Sequence, residues 1–282
     1  MNVFSVLEKP RVPIALTENN YNKKTSRAKP YVWNNGLEVK SYALCPACVN
    51  PVLLVNRHVS KTDAKVLYAK HAGRSIPGLA DHDQQAYENC PFHNPERFDS
   101  KARRTNAVRN DEIREALINH IHLVIKILET ATGIAYSDGL VEAMLRDFGA
   151  NEGHQYKAIN LYNLPFGFAY MTEAQDMYGL KVDHYLAEQI SENSVGFEVG
   201  QYRKVVRKKD SKGTSLRFYF NNHRLGDSSV GNDSIDLVVA EIHNATRTST
   251  IICSKAIEFN SEYFFNTYMR RERLRLLAMQ YL

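Results

Sequence analysis

The spacing of apolar residues predicts helices in the middle of the chain. Apolar side chains recur at three- and four-residue steps through residues 113–128, after a possible cap at 110–111. Gly133 follows this run and is a typical helix stop. A second amphipathic run covers 137–149, so the sequence predicts a helical hairpin within residues 100–150.

Toward the end of the chain the hydrophobic period changes to two, which is typical of strands. The runs 197–208 and 215–221 flank a polar, glycine-containing loop, and the runs 235–243 and 250–259 flank another polar stretch. Each arrangement predicts a β-hairpin. Ser261 then precedes an amphipathic final helix.

The first part of the chain has a different pattern. Residues 1–40 contain three prolines and few periodic apolar residues, which predicts an extended arm with room for one short strand. Short strand-like runs at 37–44, 51–55 and 66–71 surround a Cys-x-x-Cys pair and indicate a zinc ribbon. The sequence therefore predicts an α+β protein with an N-terminal arm at 1–40, a zinc-ribbon module at 41–99, the helical hairpin at 100–150, and a domain at 151–282 with an antiparallel β-sheet of two hairpins and a C-terminal helix.

Composition narrows the class of protein. The chain has 282 residues, of which 44% are hydrophobic and 24% charged, so it is too apolar to be wholly disordered. Its longest apolar runs are far shorter than the roughly 20 residues that a membrane span needs. The N-terminus lacks the pattern of a secretory signal. We therefore expect a cytoplasmic protein without a membrane partner.

Cysteine spacing indicates a metal site. Cys45 and Cys48 form a Cys-x-x-Cys pair, and Cys90 and His93 form a Cys-x-x-His pair. Two such turns can aim four ligands at one tetrahedral zinc ion, and a set of four protein ligands favours a structural rather than a catalytic role. The fourth ligand remains open, because His71 is a rival to His93.

Other histidines and the last cysteine have weaker claims. His58 and His82 also lie between the two cysteine pairs. Cys253 stands alone in a strand-like run, where we expect it to fill the core.

The string Cys-Pro-Ala-Cys-Val-Asn-Pro-Val-Leu-Leu-Val at 45–55, together with Leu-Tyr-Ala-Lys-His at 67–71, resembles the N-terminal zinc module of competence CoiA-like proteins and related zinc-ribbon proteins of bacterial mobile elements. The resemblance covers about residues 40–95. Lys70 intervenes where the family runs aromatic-Ala-His directly, and the nuclease residues of that family have no counterpart here. The resemblance implies a bacterial, mobile-element or phage-related protein that works near nucleic acid.

Positive charge is concentrated in the C-terminal half. The formal charge is +5, and basic side chains beside an exposed aromatic residue on a sheet are the ingredients of single-strand binding. The candidate contacts to single-stranded DNA or RNA are Arg203, Lys204, Arg207, Lys208, Lys209, Arg217 and Tyr219. Two further basic groups lie at 101–109 and 270–275. The alternative for each group is an ordinary solvated face.

We favour a non-enzymatic, zinc-stabilised protein that binds nucleic acid, and two other functions remain open. An adaptor in a protein complex would use the aromatic segment 161–171 and the helix at 261–282 as partner surfaces. A metal-dependent nuclease would use Asp236, Glu241 and Lys255, although two acids five residues apart on a strand point to opposite faces. The chain has no glycine-rich phosphate loop, nucleophile elbow or His-Glu-x-x-His motif.

Overall fold

A computed structural model of the protein describes residues 1–34, 36–59, 64–209, 211–226, 232–259 and 261–282. The strands are β1 (Val3–Val6), β2 (Lys9–Ala15), β3 (Val32–Asn34), β4 (Val39–Leu44), β5 (Pro51–Val59), β6 (Ala64–His71), β7 (Gln175–Asp176), β8 (Phe197–Val199), β9 (Val205–Arg207), β10 (Thr214–Arg224), β11 (Ser234–His243) and β12 (Ser249–Glu258). The helices are α1 (Glu18–Thr25), α2 (Gln84–Glu88), α3 (Ala107–Thr132), α4 (Asp138–Ala150), α5 (Leu164–Tyr170), α6 (His184–Asn193) and α7 (Ser261–Tyr281), with 3-10 turns at Gly153–Gln155 and Gln201–Arg203.

The chain divides into two compact units. Unit 1 comprises Met1–Glu96, Leu225–Asp233 and Asn260–Leu282, and unit 2 comprises Arg97–Arg224 and Ser234–Phe259. Both are mixed α and β with antiparallel sheets, as the sequence predicts at that level. The predicted boundaries at 41–99, 100–150 and 151–282 differ from this division, because the helical hairpin and the C-terminal sheet belong to one unit.

Unit 1 is built on an antiparallel sheet with strand order β2-β1-β4-β5-β6, and β3 also pairs with β4. Residues 1–40 are part of this sheet instead of an extended arm, since they supply β1, β2, α1 and β3. Tyr21 of α1 explains how they are held: its ring contacts Phe4, and its buried hydroxyl lies 3.0 Å from the carbonyl oxygens of both Tyr31 and Tyr42, which share its one proton. This buried contact ties the helix to β4 and to the residue that precedes β3.

The helix α7 also belongs to unit 1, whereas the sequence assigned it to the C-terminal domain. Phe264 and Phe265 are buried near its start, and the side chain of Asn266 donates to the carbonyl of Pro13 in β2 at 2.9 Å. The long-range partner is an N-terminal strand, which the local pattern of the helix cannot reveal.

In unit 2 both helices of the predicted hairpin form. The side chain of Asn106 caps α3, Gly133 ends it in the left-handed conformation, and Ser137 caps α4. The start of α3 at residue 107 precedes the predicted cap at 110–111.

The sheet of unit 2 has the order β12-β11-β10-β7. The predicted hairpin of β11 with β12 is confirmed. The alternation along β10 is also confirmed, because Leu216, Phe218 and Phe220 are buried. The other predicted hairpin is wrong: β9 pairs with β8 in a separate two-stranded ribbon, and β10 pairs with β11 and β7.

Within the described residues, no helix is both long enough and apolar enough to cross a membrane.

A buried histidine makes the stability of unit 2 depend on pH. His223 stacks on Phe98, with ring centroids 3.9 Å apart, and its Nδ1 atom accepts a hydrogen bond from the Phe98 amide at 2.8 Å. Burial lowers the pKa of His223 to about 4. Because an unfolded histidine titrates near 6.5, the unfolded state binds the proton first, and stability falls as pH drops from about 6.5 to about 4.

We expect the free energy of unfolding to decrease by about 3 kcal/mol across that interval. Urea unfolding at a series of pH values measures it. In His223→Asn, whose side-chain oxygen still offers an acceptor, the pH dependence between 4 and 6.5 should flatten. An unchanged slope in this variant would assign the acid sensitivity to another group.

Candidate metal centre and basic surface

The first two candidate ligands lie on the turn between β4 and β5. The Cys45 amide donates to the carbonyl of Asn50 at 2.9 Å, and the Val49 amide donates to the carbonyl of Cys45 at 2.8 Å. Val49 has a left-handed φ of 61°. These bonds close a tight turn that carries Cys45 and Cys48 on one side.

The other two ligands come from distant parts of the chain. His71 ends β6 and lies opposite Val52, near the start of β5, so strand pairing returns its imidazole to the cysteine turn. The buried side chain of Asn50 donates to the carbonyl of Asp83 at 3.0 Å and accepts from the Asp83 amide at 2.7 Å. This pair of bonds fastens the segment that carries Cys90 to the same turn.

The resulting spacing is close enough for one metal ion to contact all four residues. One ligand atom from each of Cys45, Cys48, His71 and Cys90 lies within 4.8 Å of all the others. The Sγ atoms of Cys45 and Cys90 are 3.6 Å apart, and Cys48 Sγ is 3.3 Å from His71 Nε2. A tetrahedral zinc ion with ordinary bond lengths gives edges of about 3.8 Å between two sulfurs and about 3.5 Å between sulfur and nitrogen. The four residues therefore fit a metal ion as they stand.

The pKa values of two thiols in the cluster are shifted in opposite directions. Burial raises the pKa of Cys45. Hydrogen bonds from the thiols of Cys45 and Cys90 lower the pKa of Cys48. Zinc binds thiolates, so metal binding must release the proton of a thiol such as Cys45.

His93, the predicted fourth ligand, is not part of this cluster. Its ring lies against Tyr87 with centroids 3.7 Å apart, and it is 6.1 Å from the ring of His71. The structure brings the rival, His71, to the cysteines because the β5–β6 pairing overrides the short Cys-x-x-His spacing. His82 hydrogen-bonds Gln84 at 3.0 Å, and the side chain of His58 lies outside the described residues.

No known protein family, curated protein or solved structure matches this chain.

The seven residues predicted to bind nucleic acid fall into two groups. Arg203, Lys204 and Lys209 are exposed, and in the part of the chain that the structure describes no carboxylate pairs with them. Arg203 and Lys204 lie between β8 and β9, and Lys209 lies between β9 and β10. These three side chains are available to an anionic ligand.

Three of the remaining four are engaged within unit 2. The Arg207 guanidinium lies 4.7 Å from the ring centroid of Phe197. Lys208 Nζ donates to the carbonyl of Ser194 at 2.6 Å, and Arg217 donates to that of Ala174 at 3.0 Å. The charged groups of these three side chains already serve the fold. Tyr219, the fourth, is half-buried on β10.

The two further basic groups are partly engaged. Arg104 donates to the carbonyls of His154 and Tyr156, and Arg103 pairs with Glu152 at 3.1 Å. In α7, Arg275 forms an ion pair with Glu272. Neither group is a simple solvated run of free charges.

The structure separates the residues of the nuclease hypothesis. Asp236 pairs with Arg224, Glu241 accepts hydrogen bonds from the turn at 194–196, and Lys255 donates to the carbonyl of Ala131 at 3.1 Å. Five residues on a strand span about 17 Å. The two carboxylates therefore cannot share one ion.

The two partner surfaces of the adaptor hypothesis differ in exposure. Phe166, Phe168 and Phe265 are buried within the described chain, so the aromatic segment 161–171 is not an open partner surface. The last turns of α7 expose Leu276 and Met279. A protein partner at that helix end stays a prediction.

Proposed function

We propose that the chain is a non-enzymatic, zinc-stabilised protein that binds nucleic acid. Three thiols and one imidazole at tetrahedral spacing are a ligand set that zinc prefers. Since protein atoms supply all four positions, the ion has no open site for water or substrate, and its role is structural. The metal would hold the β4–β5 turn, the end of β6 and the Cys90 segment together.

The observation that carries the nucleic-acid assignment is the group of exposed cations at Arg203, Lys204 and Lys209. No carboxylate of the described residues neutralises them. Like charges so close in sequence repel one another, and a polyanion relieves that repulsion. The resemblance of residues 40–95 to modules of bacterial mobile elements supports the same class of ligand.

The variant Arg203→Ala/Lys204→Ala/Lys209→Ala should bind single-stranded DNA or RNA more weakly and with less dependence on salt. Each phosphate contact to a single strand contributes about 0.7 to the slope of log K against log salt, so losing three should reduce the slope by about 2. Fluorescence anisotropy with labelled oligo(dT) and oligo(U) over a range of salt concentrations measures both quantities.

The matched control is Lys23→Ala/Lys24→Ala/Arg27→Ala, which removes the same charge from exposed positions of unit 1. Its affinity and slope should stay close to those of the native protein. Equal losses in the two variants would show that the effect depends on net charge alone and not on these positions. Unchanged binding by the first variant would overturn the assignment.

A further inference from the structure

A short strand pairing lies beside the proposed binding loop in unit 2. The Val205 amide donates to the carbonyl of Leu180 at 2.9 Å, and the Val182 amide donates to that of Arg203 at 3.0 Å. This places Lys181 directly opposite Lys204 in an antiparallel, non-hydrogen-bonded pair. Such pairs have the closest side chains in a sheet.

Burial shows on which side of the strand pair the two lysines lie. Their neighbours Leu180, Val182 and Val205 are buried, whereas Lys181 and Lys204 are exposed. Side chains alternate along a strand, so both lysines leave the sheet on its solvent side. Like charges directly opposite each other destabilise the pairing, and no carboxylate of the described chain offsets them. An anion bound between the two ammonium groups would remove this cost.

An exposed aromatic ring stands next to the lysine pair. Tyr202 is 78% exposed, in the turn that joins β8 to β9. Both Tyr202 and Arg203 have left-handed φ values, 58° and 57°, which non-glycine residues seldom adopt. Strained backbone persists where the surrounding structure holds it, and it is concentrated at ligand-binding sites. Here the bond from the Gly200 amide to the Lys204 carbonyl, at 2.9 Å, closes the turn.

We propose that Tyr202 stacks on a base and that Lys181 and Lys204 hold the adjoining phosphate, which makes this turn a site for single-stranded nucleic acid. The inference rests on the proposed function and adds to it two residues, Tyr202 and Lys181, and a class of substrate. The faces of bases in a duplex are covered by their neighbours, whereas a single strand can offer a base to an aromatic ring. Cations alone would bind both forms, so Tyr202 is the part that discriminates.

The test compares labelled oligo(dT) and oligo(U) with a mixed-sequence duplex of equal length. Tyr202→Ala should weaken binding to both single strands about 10-fold and leave duplex binding unchanged, while Tyr202→Phe keeps native affinity. Lys181→Ala should lower the salt slope for single strands by about 0.7, and Lys181→Arg should restore it. The control is Tyr281→Ala, which removes a similarly exposed tyrosine from unit 1.

The outcomes separate this inference from the proposed function. If the native protein binds single strands and Tyr202→Ala binds them equally well, the stacking site is overturned and the proposed function stands. Equal losses for duplex and single strands would also overturn it, as would an equal loss in Tyr281→Ala. If the native protein binds none of the polymers at low salt, the proposed function itself fails.

Discussion

Replacing Cys90 by serine or His71 by alanine should abolish stable zinc binding and unfold much of unit 1. The ion would join the β4–β5 turn, the end of β6 and the segment before residue 96, which are far apart in sequence. Structural zinc sites contribute on the order of 10 kcal/mol to folding in small zinc domains, because the ligands are not preorganised in the unfolded chain. This contribution is comparable with the whole stability of a typical domain, about 5–15 kcal/mol.

Elemental analysis and thermal unfolding, with and without a chelator, test this expectation. The native protein should hold about one zinc ion per chain and lose thermal stability when the chelator removes it. The matched control is His93→Ala, which should keep both the zinc and the unfolding temperature. Retention of zinc by His71→Ala, together with loss by His93→Ala, would restore the ligand set predicted from spacing.

The pH dependence of zinc binding also tests the cluster. Binding must displace protons from thiols whose pKa burial raises, as at Cys45. The apparent affinity for zinc should therefore increase as the pH rises. A competition titration with a chelating dye at several pH values measures this, and an affinity independent of pH would contradict three thiolate ligands.

Short-range features of the fold could be predicted from the sequence. The two middle helices, the stop at Gly133 and the cap at Ser137 depend on residues within a few positions of one another. The alternation that buries Phe218 depends only on strand geometry. The Cys-x-x-Cys turn is equally local.

Features that depend on distant pairing could not be predicted in the same way. Whether β1 and β2 join a sheet is decided by β4, about 30 residues further along the chain. The fourth candidate ligand belongs to this class, because the β5–β6 register brings His71 to the cysteines. The Leu-Tyr-Ala-Lys-His string at 67–71 was the one signal in its favour. The predicted strand at 197–208 failed for a different reason: it folds back at residues 200–204, so that β9 pairs with β8.

Charge patterns had a different limit. Counting cations in the sequence treats Lys204 and Lys208 alike, yet the structure exposes one and bonds the other to the Ser194 carbonyl. A lysine or arginine that bonds a backbone carbonyl or packs on an aromatic ring stabilises the fold and is not free to bind a ligand. The structure distinguishes exposed cations from bonded ones, and it also places Lys181 opposite Lys204.

Glu241→Gln should cost unit 2 about 2 to 4 kcal/mol, although the side chain keeps its size. Glu241 is 2% exposed, and its carboxylate accepts three hydrogen bonds: from Ser194 Oγ at 2.7 Å and from the amides of Val195 and Gly196, each at 3.0 Å. Glutamine has an NH2 group where the carboxylate has its second oxygen, so it must point an N–H at the Ser194 hydroxyl or at one of the two backbone amides. A glycine is required at 196, because an added Cβ would lie 2.5 Å from Glu241 Oε1.

The pH dependence identifies the carboxylate as the cause. Burial by itself raises the pKa of Glu241, but the hydrogen bonds from Ser194, Gly196 and Val195 together outweigh it, so the folded pKa lies below its ordinary value. The stabilisation is therefore complete above the unfolded pKa and is lost as pH falls through the folded one. The stability difference between the native and Glu241→Gln proteins should accordingly narrow as the pH falls below the ordinary glutamate pKa of about 4.3.

Urea unfolding, with hydrogen exchange of the 194–197 amides, measures the effect. The control is Glu198→Gln, which makes the same chemical change at an exposed position of β8 and should alter stability by less than about 0.5 kcal/mol. Faster exchange confined to Glu241→Gln would show that the buried carboxylate holds the turn between α6 and β8. An equally small effect in both variants would contradict that role.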